Sequence, residues 1–266
     1  MYINTAGIVL RETAYRDSSK ILTMLTGEEG KLTVSARGAL RRNSKLAAAT
    51  QLLVFSEITL SSSRDRWTLT EARSIEQFTG LRDDIALLAL GAYFAELTEA
   101  VADEDSPNPE LMPLILNALF ALSEKIKAPA LVKPAFELRL MAASGFAPLL
   151  DQCSVCGAKE AEYMFLDYAG GTINCGGCDT PGAFTGSHEM HGAGEETRAA
   201  GSAGSAVLSR GALHAARYII GCDARKLFSF TLGDNALLEL ASATEGYLLA
   251  QLDRSFRTLD YYKRIF

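Results

Sequence analysis

The 266-residue chain is 48% hydrophobic and 22% charged, the balance of a globular protein with a real core, and long enough for one large domain or two to three small ones. Its longest apolar run, Ile85 to Ala95, stops at Glu96, well short of the roughly 18 residues of a membrane span. The N-terminus also lacks the charged-then-apolar layout of a signal peptide, so a soluble, cytoplasmic chain with no membrane partner is expected. Formal net charge is −6, which argues weakly against a polyanion partner, yet residues 1–80 hold 11 Lys+Arg against 8 Asp+Glu, +3, leaving −9 for the remainder. Such asymmetry raises the question of whether the front of the chain meets a polyanion.

That front reads as strands. Gly7 to Tyr15, Lys20 to Thr26, Lys31 to Gly38, Leu52 to Ser61 and Trp67 to Ala72 are rich in Val, Ile, Leu, Thr and aromatic residues, separated by the polar links RDSS, GEEG and SSRDR. Gly27 and Gly30 flank two carboxylates in GEEG, a hairpin turn. Five short strands with no helix between them predict a small barrel over residues 1–78, and the five-stranded OB-fold is the barrel of that size suited to single strands. Between the third and fourth strands lies ARGALRRNSKL, Ala36 to Leu46, which carries Arg37, Arg41, Arg42 and Lys45 and no acidic residue. Arg11, Arg16, Lys20, Lys31, Arg64 and Arg66 are candidates for the same side. Cations neutralise phosphates and release counterions, and Tyr15, Phe55 and Trp67 are candidate stacking platforms. A solvated basic loop and an aromatic barrel core are the plainer readings of the same residues.

Beyond Ser74 the period becomes helical. Leu81 to Glu104 places apolar residues three and four apart, with Asp83 and Asp84 suited to a helix N-terminus. A second helix is expected with Asn108 as N-cap and Pro109 at its first position. A third, ALVKPAFELRLMAASG, closes at Gly145. After the cysteine segment, Ser187 to Ser205 is small, polar and glycine-rich, a linker or mobile loop. Two helices, near Ser209 to Cys222 and Asp234 to Arg254 with Asp234 as N-cap, end the chain. The reading is α+β: an N-terminal five-stranded barrel, a helical domain of residues 79–152 and 187–266, and an insert of residues 153–186.

The insert holds four of the five cysteines. Cys153 and Cys156 form one C-x-x-C pair, Cys175 and Cys178 another. Two such knuckles supply a tetrahedral set of four thiolates, a donor set that favours zinc. The stretch between them, Glu162 to Cys175, reads as a β-hairpin turning at Gly170 and Gly171, a zinc-ribbon layout. A four-sulfur shell is closed, so the role is structural, stapling an insert too small for its own core. Redox dithiols or unbound cysteines are the alternatives. His188 and His191 form neither a deaminase nor a H-E-x-x-H signature and read as surface residues. His214 is packed or exposed on a helix, and Cys222 is expected in the core. There is no P-loop and no nucleophile elbow, and no nucleophile–base pair, so no catalytic residue is assigned.

Several stretches resemble the RecO family of bacterial recombination and repair proteins: Gly7 to Leu46, with its ARG-x-x-R-x-x-SKL element, Leu81 to Val101, Phe136 to Gly157, and the closing CGGC. The resemblance implies an OB-fold, a helical domain and a four-cysteine zinc insert. It also implies non-enzymatic binding of single- and double-stranded DNA, annealing of complementary strands, and action with RecR and single-stranded-DNA-binding protein so that recombinase loads, in a bacterial cytoplasm at the nucleoid. Carried over by motif, DNA contacts fall to Arg37, Arg41, Arg42 and Lys45, then Lys20 and Lys31. A pocket for single-stranded-DNA-binding protein is expected in the helical domain, with Lys133 and Arg139 on its rim. The alternative is a protein-interaction scaffold with secondary DNA contact.

Overall fold

Alternation of apolar and polar side chains builds the first five strands, β1 (Tyr2–Tyr15), β2 (Ser19–Thr26), β3 (Gly30–Ala36), β4 (Phe55–Ser63) and β5 (Arg66–Glu76), in a computed structural model that describes residues 2–63, 66–104, 106–178 and 204–265. In β3 the pattern is direct: Leu32, Val34 and Ala36 are buried while Thr33 is exposed, the period of two that puts alternate side chains on opposite faces. The strands close into a barrel in the order β1-β2-β3-β5-β4. β1 makes closure possible because it is long enough to be shared. Its residues from Tyr2 to Ile8 pair with β4 and those from Gly7 to Tyr15 with β2. A register shift between Val9 and Arg11 bends it at the crossover, as bulges do by adding local twist. A short parallel pairing, Val34 with Trp67 and Ser35 with Thr68, seals β3 to β5. Inside, Val9, Leu22, Met24, Val34, Ile58 and Leu60 form the barrel core, with Trp67 packed against it.

The barrel is the one expected, with several strand ends moved: β5 runs on to Glu76 rather than Ala72, and β3 stops at Ala36 rather than Gly38. β1 starts five residues before Gly7, where Tyr2 to Ala6 find partners in β4. β4 starts at Phe55 rather than Leu52, because Leu53 sits at φ 65°, outside strand geometry. Arg64 and the histidines at 188 and 191 lie outside the described residues.

Two compact units divide the chain: Met1–Val132 with Phe256–Phe266, and Lys133–Ser255. In the first, α1 (Thr79–Arg82) and α2 (Ile85–Val101) follow the barrel. The Asp84 carboxylate caps α2, accepting from the Ala86 and Leu87 amides, as expected of an acidic N-cap. The apolar run Ile85 to Ala95 is the buried body of α2, with Leu90, Tyr93, Phe94 and Ala95 sealed from solvent. No helix among the described residues is long and apolar enough to cross a membrane. α3 (Leu111–Ser123) begins two residues later than predicted. Asn108 caps a preceding turn instead, its Oδ1 accepting from Glu110 N at 3.0 Å. A helix absent from the sequence reading, α7 (Arg257–Ile265), also belongs to this unit. The Phe256 ring meets Tyr93 edge-on at 6.0 Å and the Thr258 amide donates to Glu96 at 3.2 Å.

α4 (Pro129–Ala143) crosses the division of the chain and ends as expected, with Gly145 at φ 85° and the Phe146 amide reaching back to Met141 O at 2.8 Å. The second unit then sets a four-stranded sheet, order β6-β8-β7-β9, against two helices. β7 (Tyr163–Asp167) and β8 (Thr172–Cys175) form the predicted hairpin. Its turn is held by the Asp167 carboxylate, which accepts from the Ala169 and Gly170 amides, and by Gly171 at φ 62°. β6 (Leu149–Cys153) and β9 (Ser205–Ser209) flank it, and neither was legible as a strand. α5 (Arg210–Gly221) and α6 (Asp234–Leu252) match the two closing helices expected, except that Gly233 rather than Asp234 is the N-cap of α6.

Candidate metal centre and nucleic-acid face

β6 ends at Cys153 and β8 at Cys175, so the sheet delivers one sulfur from each knuckle to the same place. Each knuckle then turns its second cysteine inward, and the sulfurs of Cys153, Cys156, Cys175 and Cys178 all lie within 4.8 Å of one another. Cys156 and Cys175 are 3.6 Å apart, close to the edge of about 3.8 Å for a tetrahedron of sulfurs about 2.3 Å from one ion. The backbone is wound as the knuckle requires. Gly157 N donates to Cys153 O at 3.0 Å, Cys153 N to Ala158 O at 2.8 Å and Cys178 N to Cys175 O at 2.9 Å. The Cys175 amide points at Cys153 Sγ from 3.3 Å.

The electrostatics fit a cation. Burial disfavours the Cys153 thiolate, but hydrogen bonds from the Cys156, Cys175 and Val155 backbone outweigh it and bring the thiol down to about 6. Cys178 goes the other way, pushed up to about 12 by its bonds with the Cys175 and Cys156 side chains and by burial. Converging thiols cannot all ionise without a counter-charge, and a divalent ion supplies it while displacing their protons. The residues therefore fit a metal ion held by four sulfurs.

The basic loop occupies residues 37–54, a run of turns between β3 and β4. Leu40 N donates to Ser18 O at 3.0 Å and Gly38 N to Ser19 Oγ at 3.3 Å, tying the loop to the start of β2, while Ala39, Ala49, Leu53 and Val54 are buried beneath it. Arg37, Arg41, Arg42 and Lys45 are all exposed. Ion pairs fix Lys20 and Arg11 nearby, yet none joins these four to any described residue. Lys20 and Lys31 are placed differently. Lys20 is ion-paired with Glu12 and donates to Thr50 O at 3.1 Å. Lys31 donates to Glu99 O at 3.1 Å, near the C-terminus of α2, where a cation complements the helix dipole. Of the aromatic candidates, Tyr15 is exposed with the Arg16 guanidinium 5.1 Å from its ring centre. Phe55 is half-buried, and Trp67 packs on the barrel core.

Lys133 and Arg139, expected on a rim, are inside the second unit. Lys133 is 8% exposed and pairs with Glu137 at 2.7 Å and Glu245 at 2.8 Å. Arg139 donates to the carbonyls of Ile219 and Ile220. Cys222 is half-buried at the end of α5 rather than in the core, because the chain turns out to solvent at Gly221 and Asp223. His214 is exposed on α5 beside Glu160. One residue beside the cysteines had no signal in the sequence. Arg217 on α5 donates through Nε to Leu150 O at 2.8 Å and through Nη2 to Asp151 O at 3.0 Å and Lys159 O at 2.7 Å. Its partners are backbone carbonyls, which leave no trace in residue types.

A closed five-stranded barrel whose cationic loop has no ion-pair partner among the described residues, followed by helices and by four free thiols that could hold a metal ion, defines a class of barrel-and-helix protein carrying a four-cysteine cluster. Family models place it further. "Recombination protein O N terminal" matches residues 1–78 and "Recombination protein O C terminal" residues 82–260. The chain belongs to the RecO family of DNA repair proteins. It is 30% identical over 262 residues to the DNA repair protein RecO of Symbiobacterium thermophilum, covering 97% of this chain and 95% of that one. Against the protein of the same name from Acetivibrio thermocellus it is 29% identical over 99% of this chain and 97% of the relative. Against that of Bacillus pumilus it is 38% identical over 67% and 69%.

Proposed function

We propose that this chain binds single- and double-stranded DNA through the loop of Arg37, Arg41, Arg42 and Lys45, and works by holding strands rather than by turnover. Bringing complementary strands together requires neutralised phosphates and little reading of bases. In this reading the protein anneals strands and, with RecR, helps recombinase load on DNA coated by single-stranded-DNA-binding protein. Lys20, tied to the loop through Thr50 O, and Lys31, tied to the end of α2 through Glu99 O, add lesser contacts of their own. The ion in the thiol cluster is zinc, suited to a closed sulfur shell, and its role is to brace the second unit.

One observation carries the proposal: four exposed cations share one barrel loop, without an ion-pair partner among the described residues, in a DNA repair family member. The test is fluorescence anisotropy of a labelled single strand against salt. Arg41→Glu with Arg42→Glu is expected to weaken binding by a similar factor on every sequence, and to flatten the salt dependence by about 1.4 in log–log slope, at about 0.7 per contact. Unchanged affinity and slope at low salt would refute the loop as the binding face, and would favour a protein partner for it.

A further inference from the structure

The bonds around Arg217 tie the first cysteine knuckle to α5, which packs alongside β6. The knuckle runs from Cys153 to Gly157, and its limbs continue back to Leu150 and Asp151 and forward to Lys159. A single guanidinium grips both limbs, Leu150 O and Asp151 O on one side and Lys159 O on the other, at 2.7–3.0 Å. One turn earlier on the same helix face, His214 Nε2 lies 3.2 Å from Glu160 Oε1, just beyond the second limb. Across the limbs' base there is one further backbone bond, Cys153 N to Ala158 O. A planar fork of fixed donors suits three carbonyls in fixed positions, whereas an ammonium offers a point charge without that geometry.

We propose that Arg217 is the positioning residue of the metal site. It pins the two limbs together so that Cys153 and Cys156 present both sulfurs at the spacing the ion needs, and through the same bonds an ion in the cluster fixes α5. Groups outside the ligand set that orient ligands typically hold 10–100-fold in metal affinity. Coupling of this kind is reciprocal: whatever Arg217 contributes to the ion's affinity, the ion returns as order in α5. The inference rests on the four thiols being a metal site.

The experiment uses the full chain stripped of metal and reloaded with Co²⁺ or Zn²⁺ in competition with a chromogenic chelator. The thiolate-to-cobalt absorption reports the sulfur shell. Hydrogen exchange along Arg210–Gly221 reports α5. Arg217→Ala is expected to lower affinity about 10–100-fold with all four cysteines intact, and Arg217→Lys to recover only part of it. Chelation should raise exchange across α5 in the native chain, and the lysine variant, which keeps charge and bulk if the alanine variant fails to fold, should show a smaller change. A residue that only packs would lower the melting temperature of loaded and stripped protein alike and leave affinity within twofold of native. That outcome in either variant overturns the proposal, as does α5 exchange indifferent to metal. If the native chain takes up no metal while remaining folded, the thiol cluster itself has been misread, a failure distinguishable from the other two.

Discussion

At Gly30 the chain depends on the absence of a single methyl group. The residue sits at φ 70°, and a Cβ built there would stand 2.5 Å from Ser106 O. The turn before it is closed by Thr26 Oγ1, which donates to Gly30 O at 2.9 Å and accepts from Glu29 N at 3.1 Å. Gly30→Ala therefore meets both backbone strain and a clash with main chain, and is expected to cost on the order of 2–4 kcal/mol in urea unfolding. A second residue-scale prediction concerns Lys133. Burial opposes its charge, but Glu137 and Glu245 outweigh burial and raise its pKa above the ordinary 10.5. A raised pKa means that the bound proton stabilises the fold. The contribution is complete below about 10.5 and lost as pH climbs through the higher folded value, so this network gives no pH dependence near neutrality. Lys133→Met removes the ammonium 2.7 Å from Glu137, a carboxylate that is 0% exposed and accepts from Thr244 Oγ1. The expected loss is about 3–5 kcal/mol, read by denaturant titration at pH 7. Replacing Glu137 by Leu in the same chain should recover much of it.

Elements differ in how plainly they announced themselves. The cysteine knuckles and the β7–β8 hairpin were legible because their determinants are local: spacing, Gly171, and the capping Asp167 lie within a few residues of what they shape. The loop of Arg37 to Lys45 was legible as a charge run, and its exposure follows from having no acid nearby. Lys20 and Lys31, placed after those four in the sequence reading, are claimed by Glu12, Thr50 and Glu99, and the last of these lies 68 residues from Lys31. β9 escaped because its five residues, SAVLS, are too short a run to announce a strand and become one through pairing with Tyr163 to Asp167. α7 escaped because RTLDYYKRI is mostly polar, and its helical merit lies in burying Leu259 and Tyr262. For the basic loop, the element-scale expectation is graded: Lys45→Glu alone should reduce the salt slope by about 0.7, half the effect of the double reversal. Parallel titrations of single-stranded DNA would measure it.

For the molecule as a whole, all four cysteines fall in one of the two compact units, so removal of the proposed metal is expected to be a local event. Cys153→Ser is expected to release the ion and lower the melting temperature of the second unit, where the metal's binding energy is folding energy. The barrel should keep its affinity for DNA. Calorimetry with and without chelator, paired with the DNA titration, checks both halves. Loss of DNA binding together with the metal would place the insert on the binding surface.

The return of the last helix to the first unit has a consequence for biosynthesis. Tyr93 on α2 meets Phe256, and Glu96 meets Thr258, so these contacts of the first unit can form only after the second unit has been synthesised. Until Phe256 and Thr258 have been translated, the positions of α2 that they meet stay uncovered. A released chain ending at Ser255 should accordingly be far more protease-sensitive around α2 than one that includes α7, although the two share every residue of the barrel.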